Sequence, residues 1–493
     1  MKKLITLLLS ISVFVTMSSA KTVYVKATTG NDSNSGLTWE TAVKSIPYAL
    51  TVASTSGDNL WIAGGTYIIP GTSTFTQGNA TGMYGGFSGN ETTLSARPTS
   101  DLDGNGIVEP WEFTNATMLT FNVTDKSAIT FTGAAFNGFT LSATATMNDN
   151  QTVCVYGMND WTNFVNNTVK NNNLTFSVNT DHGGYYPFFK ASGTVNNCLF
   201  EKNKITVNAS QFAYICPFIT VNPSYHSNMG TKFLNSIIRN NTVTVDYSTA
   251  ASGTNSYGAR ALIMNVQGGM NPTAAIGNKG GLATTVANCI IHNNEMIYIP
   301  GDAAGQLYDA ATLVMGASLS YWDGNANVKQ PTTDSIINCT VANNKGIRMN
   351  NCGINIMSDA TSYHYIINNV FYNNQSATKE TNFKVSNMAQ NNSQNAGLIS
   401  NNFTDGGGLS NSSKQVVKQD NTLGTGTNLP NFKSPTITVG NTTDHSSEVS
   451  NWTLTTGSYL IGKGIITTRS SDKIGATFVI PRAIGAFEYN GLK

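Results

Sequence analysis

Short runs in which apolar and polar positions alternate recur along most of the chain, and they superpose on one another. VNNTVKNN from Val165, NNCLFEKN from Asn196, LNSIIRNN from Leu234 and ANCIIHNN from Ala287 share one pattern. INCTVANN from Ile337 and INNVFYNN from Ile367 continue it, with FNGFTLS from Phe136 and SNNFTDGG from Ser400 as weaker copies. Anchored on Asn137, Asn166, Asn197, Asn235, Asn288, Asn338, Asn368 and Asn401, the spacings are 29, 31, 38, 53, 50, 30 and 33 residues. A period of two within each copy, with β-branched residues dominant, marks strands. A unit of about 30 residues that cannot bury its apolar face alone marks a stack.

The pattern therefore predicts a single-stranded right-handed parallel β-helix, all-β, in which each strand pairs with its equivalents on the neighbouring rungs. Hairpin signals at regular spacing, which a propeller or sandwich would need, are missing from these units. Alternation points Asn167, Cys198, Ser236, Cys289, Cys339 and Asn369 inward, and Val169, Phe200, Ile238, Ile291, Val341 and Phe371 inward two residues later. Lys170, Glu201, Arg239, His292, Ala342 and Tyr372 then form an outward column. Leu199, Ile237, Ile290 and Val370 form another with Thr168 and Thr340, an apolar stripe expected to lie under the long extensions. The anchor Asn suits a left-handed turn residue whose amide extends a ladder along the stack.

An open coil needs covers at its ends. Residues 21–120 are expected to hold an N-terminal cap and the first coils: a strand at Val23–Val25, then a short helix with Ser45 as N-cap and Pro47 in its first turn. Residues 121–430 hold the rungs with their long central loops, and 431–493 a last coil and a closing motif. Residues 1–20 read as a signal peptide: Lys2 and Lys3, the apolar run Leu4 to Val15, then Ser18-Ser19-Ala20. This predicts a secreted protein, extracellular, at the cell surface or periplasmic, and not one that spans a membrane.

VYVKATTGNDSNSGLTWETAVKSIPYAL with GDNLWIAGGTY, and PRAIGAFEY at 481–489, resemble the two ends of secreted bacterial β-helix proteins of the pectin-lyase-like superfamily. The resemblance implies the fold. It implies no single activity, since that superfamily spans lyases, hydrolases, esterases, epimerases and adhesins.

Composition narrows the partners. Charged residues are 11% of the chain, with 28 basic against 27 acidic, so no net field draws nucleic acid. A surface rich in Asn, Thr, Ser and Gly suits a polysaccharide or surface glycan. Of the six cysteines, Cys198, Cys289 and Cys339 share the inward position and read as buried thiols, with a Cys289–Cys339 bridge left open.

Asp101 to Glu112, DLDGNGIVEPWE, matches the calcium-loop pattern D-x-[DN]-x-[DN]-G-x5-E. Asp101, Asp103, Asn105, the Ile107 carbonyl, Glu109 and Glu112 are the expected ligands of a structural Ca²⁺. The lengthened rungs bring Tyr185, Tyr186, Tyr257, Tyr321 and Trp322 as candidate carbohydrate-binding aromatics. Arg239 and His292, equivalent on adjacent rungs, are the candidate cation and base of a lyase reaction. The paired carboxylates of a hydrolase are not recognisable by spacing. Three functions stay open: a non-catalytic carbohydrate-binding module, a polysaccharide lyase or other carbohydrate-active enzyme, and an adhesin-like stalk.

Overall fold

The computed structural model describes residues 20–69, 74–75, 82–121, 128–148, 155–159, 161–178, 188–209, 217–222, 230–249, 261–267, 283–300, 311–316, 320–322, 327–329, 332–349, 352–358, 362–376, 383–387, 397–405, 416–465, 467 and 482–487. The expected signal peptide, save Ala20, lies outside them, as do Tyr185, Tyr186, Tyr257, Cys154 and Cys216. Among the described residues no helix is long and apolar enough to cross a membrane.

The alternation seen in the sequence closes into a parallel β-helix with four faces per rung. The first face is a twelve-stranded sheet from Thr22–Val25 to Val416–Gln419, and the fourth a nine-stranded sheet from Thr74–Phe75 to Phe383–Asn387. Between them lie the second face, which carries Thr168–Lys170, Leu199–Glu201, Ile237–Arg239 and Ile290–His292, and the third, which carries Asn173–Val178 and Lys204–Ala209. Cα register along the second face runs Lys170, Glu201, Arg239, His292, Ala342, Tyr372, the outward column expected from the sequence. The inward residues are fully buried: Asn167, Cys198, Phe200, Ile238, Cys289, Ile291 and Phe371 are all 0% exposed. Each large apolar side chain so placed contributes about 1.5–3 kcal/mol by leaving water. Phe136 and Phe164 stack on successive rungs with ring centroids 5.5 Å apart.

Asparagine holds the corners. Asn166, Asn197, Asn235, Asn288, Asn338, Asn368 and Asn401 all have φ between 50° and 57°, the left-handed position between the first and second faces. In the weak copy at Asn137 that position belongs to Gly138, φ 84°, so the register there is one residue later than the sequence alignment placed it. Amides of these corner residues bond rung to rung, as in Asn288 Nδ2 donating to Asn235 Oδ1 at 3.1 Å. The next corner carries a deeper ladder. Asn240, Asn293, Asn343 and Asn373 are left-handed there, and the residues after them turn inward. Asn172, Asn203, Asn241, Asn294, Asn344 and Asn374 form an unbroken amide stack. Asn241 Nδ2 donates to Asn294 Oδ1 at 2.8 Å and to the Phe200 carbonyl at 3.0 Å, so its buried donors are both used.

The N-terminal cap forms as expected. Ile46–Val52 is a helix whose N-cap, Ser45, accepts from the Tyr48 amide, and Ile46, Ala49 and Ala53 are buried. The strand before it, Thr22–Val25, pairs in parallel with Asn59–Ala63, so the first face begins inside the cap.

The C-terminal region departs from expectation: residues 424–463 add no coil. They leave the last rung, run back along the outside of the second face and return, with Phe432–Ser434 and Asn451–Leu454 pairing antiparallel. The corner asparagines seat this strap. Asn293 donates its amide to the Thr436 and Thr438 carbonyls, and Ser447 donates to Asn240 Oδ1 at 2.6 Å. Trp111, Leu199, Ile237, Ile290, Ala342, Trp452, Ala486 and Phe487 pack into one cluster. The outward apolar stripe is thus covered, and its cover among the described residues is the strap, Trp111 and the closing segment.

Cys198, Cys289, Cys339 and Cys352 are free thiols, so no Cys289–Cys339 bridge is present. Burial pushes the Cys198 and Cys352 thiols up to about 12, which leaves them unreactive.

Candidate functional site

Arg239 and His292 lie on adjacent rungs, yet neither faces solvent: they are 2% and 1% exposed. Arg239 Nε and Nη2 bond Glu201 Oε2 at 3.1 and 3.0 Å, Nη2 also meets Asp103 Oδ2 at 3.0 Å, and Nη1 donates to the Glu448 carbonyl at 2.9 Å. Burial alone would weaken its charge, but Glu201 and Asp103 outweigh it and hold the guanidinium more firmly protonated than usual. His292 lies against the Trp452 ring, centroids 5.3 Å apart. The expected cation and base are therefore sealed beneath the strap, each engaged with protein groups. Of the expected aromatics, Tyr321 and Trp322 form a strand, Ser320–Trp322, paired antiparallel with Asn327–Lys329.

The acidic loop closes on itself between Thr99 and Phe113, which form an antiparallel bridge. Carboxylate oxygens of Asp101, Asp103 and Glu112 come within 4.8 Å of one another. Gly104 and Gly106 supply left-handed turns at φ 77° and 84°. Asp101 accepts from the Gly104 and Gly106 amides, Asn105 Oδ1 from the Ile107 amide, and Glu112 from the amides of Leu102, Asp103 and Glu109. Asn105 Nδ2 reaches Glu109 Oε1 at 3.3 Å. The fold thus brings three of the expected side chains, Asp101, Asp103 and Glu112, together; a hard oxygen set of this kind suits Ca²⁺. Burial raises the Asp103 carboxyl, and Arg239 opposes that shift.

Beside this loop the second face is open. Two adjoining cavities, of about 130 and 180 Å³, share Thr140 and Lys170. The first is bounded by Trp111, Asp103, Glu201, Arg239 and Glu448. The second is lined by Thr120, Thr140, Ser142 and Thr144 together with Met118, Phe121, Ala143 and Asn171, with Lys170 as its one ionisable group. Lys170 Nζ is 3.9 Å from Glu201 Oε1, and its side chain is 38% exposed, so it is the accessible cation of the groove among the described residues. Alternation in LTF at 119–121 and FTLSAT at 139–144 could have placed these hydroxyls outward. Nothing in the sequence marked the strap that ends the groove, because residues 424–463 carry no repeat.

Comparison with protein-family models and with characterised proteins finds no match. Among solved structures the chain is similar to a rhamnogalacturonan lyase, at 13% identity over 83% of this chain and 90% of that one, with a TM-score of 0.29. It is similar to pectate lyase Pel9A at 14% identity over 96% and 97%, also with a TM-score of 0.29. Likeness at that level carries no argument about activity. The strand register itself makes the chain a parallel β-helix.

Proposed function

We propose that this is an exported, non-catalytic β-helix module that binds carbohydrate in the open groove of the second face. One observation carries the reading: where the column is open lies a hollow with four Thr and Ser residues in its lining and, among the described residues, Lys170 as its accessible ammonium. Arg239 and His292, by contrast, are buried and engaged with protein groups. Sugar rings present hydroxyl rims that Thr120, Ser142 and Lys170 could meet, with Trp111 bordering the adjoining cavity. Export follows from the signal-peptide reading of residues 1–20. A structural Ca²⁺ in the loop 101–112 would hold that wall of the groove in place.

The test is migration in gels loaded with polygalacturonate, alginate or xylan. Retardation by at least one of them, lost in Ser142→Trp, is expected; free migration in all would sink the reading. A second reading, a lyase, is favoured by Lys170 alone, as the accessible base in the groove. Ultraviolet-absorbing unsaturated product from polygalacturonate or alginate, abolished in Lys170→Met, would establish it instead.

A further inference from the structure

Among the described residues the groove is blind. At one side its floor continues onto the rung Gly65–Ile69, where Ile68 pairs with Thr120 and is 66% exposed. At the other it runs into the tip of the C-terminal strap. That tip is pinned at three points: the Glu448 carbonyl accepts from Arg239, the Glu448 carboxylate pairs with Lys202, and Ser447 donates to Asn240. Past it the outward positions Leu199, Ile237 and Ile290 are only 4%, 4% and 2% exposed. From Gly65–Ile69 to Thr168–Lys170 the open floor spans four rungs, or roughly 14 Å at the usual strand spacing. That is room for a short oligosaccharide and no through passage along the coil.

We propose that the groove selects the end of a polysaccharide chain rather than its interior, with the strap tip as the end wall. The inference rests on the carbohydrate reading of the same groove and adds its specificity. A chain lying along the coil meets the strap at Glu448 and stops there; an interior segment would have to unseat three anchors to pass. Affinity should rise with oligosaccharide length only until the open rungs are filled. Binding capacity should follow the number of chain ends.

The experiment uses the full chain with polygalacturonate, alginate and xylan, each cut by partial hydrolysis into fractions of decreasing mean length. Bound protein at saturation is measured per gram of polysaccharide. Halving the mean length should double the capacity. Capacity that stays constant per gram would overturn end selection while leaving carbohydrate binding intact. No binding to any fraction would overturn both. Ser142→Trp fills the hollow from a partly exposed position and should abolish the end-dependent binding. Persistence of that binding in a folded Ser142→Trp protein would place the end site elsewhere and overturn the proposal.

Discussion

Over the rungs Thr117–Phe121, Phe139–Ala143 and Thr168–Lys170 the outward columns of the second face read Met118, Thr140, Thr168 and Thr120, Ser142, Lys170. From Leu199–Glu201 onward the same columns read Leu199, Ile237, Ile290 and Glu201, Arg239, His292. Both stretches keep the parallel register of the second face, although the corner asparagines begin only at Asn166 and the rung before it turns at Gly138. They differ in what lies on top: cavities over the first, the strap over the second. In a solenoid, pointing outward therefore does not mean facing water. A run of outward Leu and Ile marks a covered stretch, and a charge within such a run must find partners.

The largest test of that contrast is Arg239→Met. It leaves Asp103 and Glu201 without their shared cation, and breaking a buried pair in this way costs about 3–5 kcal/mol. Denaturant titration should show that loss, and limited proteolysis should cut first within 440–450. Lys170→Met, two rungs away in the open stretch, should change stability by less than about 1 kcal/mol, as exposed pairs do. Equal losses from the two substitutions would dissolve the distinction between the stretches.

Trp452→Ala should cost about 3 kcal/mol, because the ring covers His292 and packs with Leu199, Ile237 and Ile290. Binding of a hydrophobic dye should rise with it. Asn294→Ala tests the ladder that begins at Asn172 on the last open rung and continues beneath the strap. It leaves the Asn241 amides without their acceptor inside the coil, at a cost of about 1–3 kcal/mol, read again by denaturant titration.

The smallest effect concerns pH. Burial alone would raise the Glu448 carboxyl, but Lys202 and His445 more than offset it and hold it below the usual carboxylate value. Its stabilising share is therefore complete above the unfolded value and is lost as pH falls through the lowered folded one. Protection factors at residues 445–450, corrected for the intrinsic exchange rate, should fall on acidification below the ordinary carboxylate range, by less than about 1 kcal/mol of opening free energy. Unchanged protection well below that range would remove the carboxylate from the latch.

The stack was legible because its period is local: six strong copies, each with a period of two, announce strands and their inward faces. Arg239 and His292 were legible as neighbours for the same reason, since register follows from the repeat. Their burial was not. It depends on residues about 200 positions later that fold back over the face, and no local pattern encodes such a return. The acidic loop was legible as a motif, while its meeting with Arg239 through Asp103 was hidden by the same long-range closure. The groove was half legible: the outward Thr and Ser could be read, but not the wall that ends it.

The amide ladder from Asn172 to Asn374 runs unbroken although the spacing between its members ranges from 30 to 53 residues. Register is thus set at one fixed corner and is indifferent to how much chain is looped out elsewhere on the rung. A ladder of this kind works as a ruler that counts turns rather than residues. Whole loops on the other corners can be lengthened, shortened or exchanged without sliding one strand against the next, so the surface of this coil is free to vary while its interior stays in step.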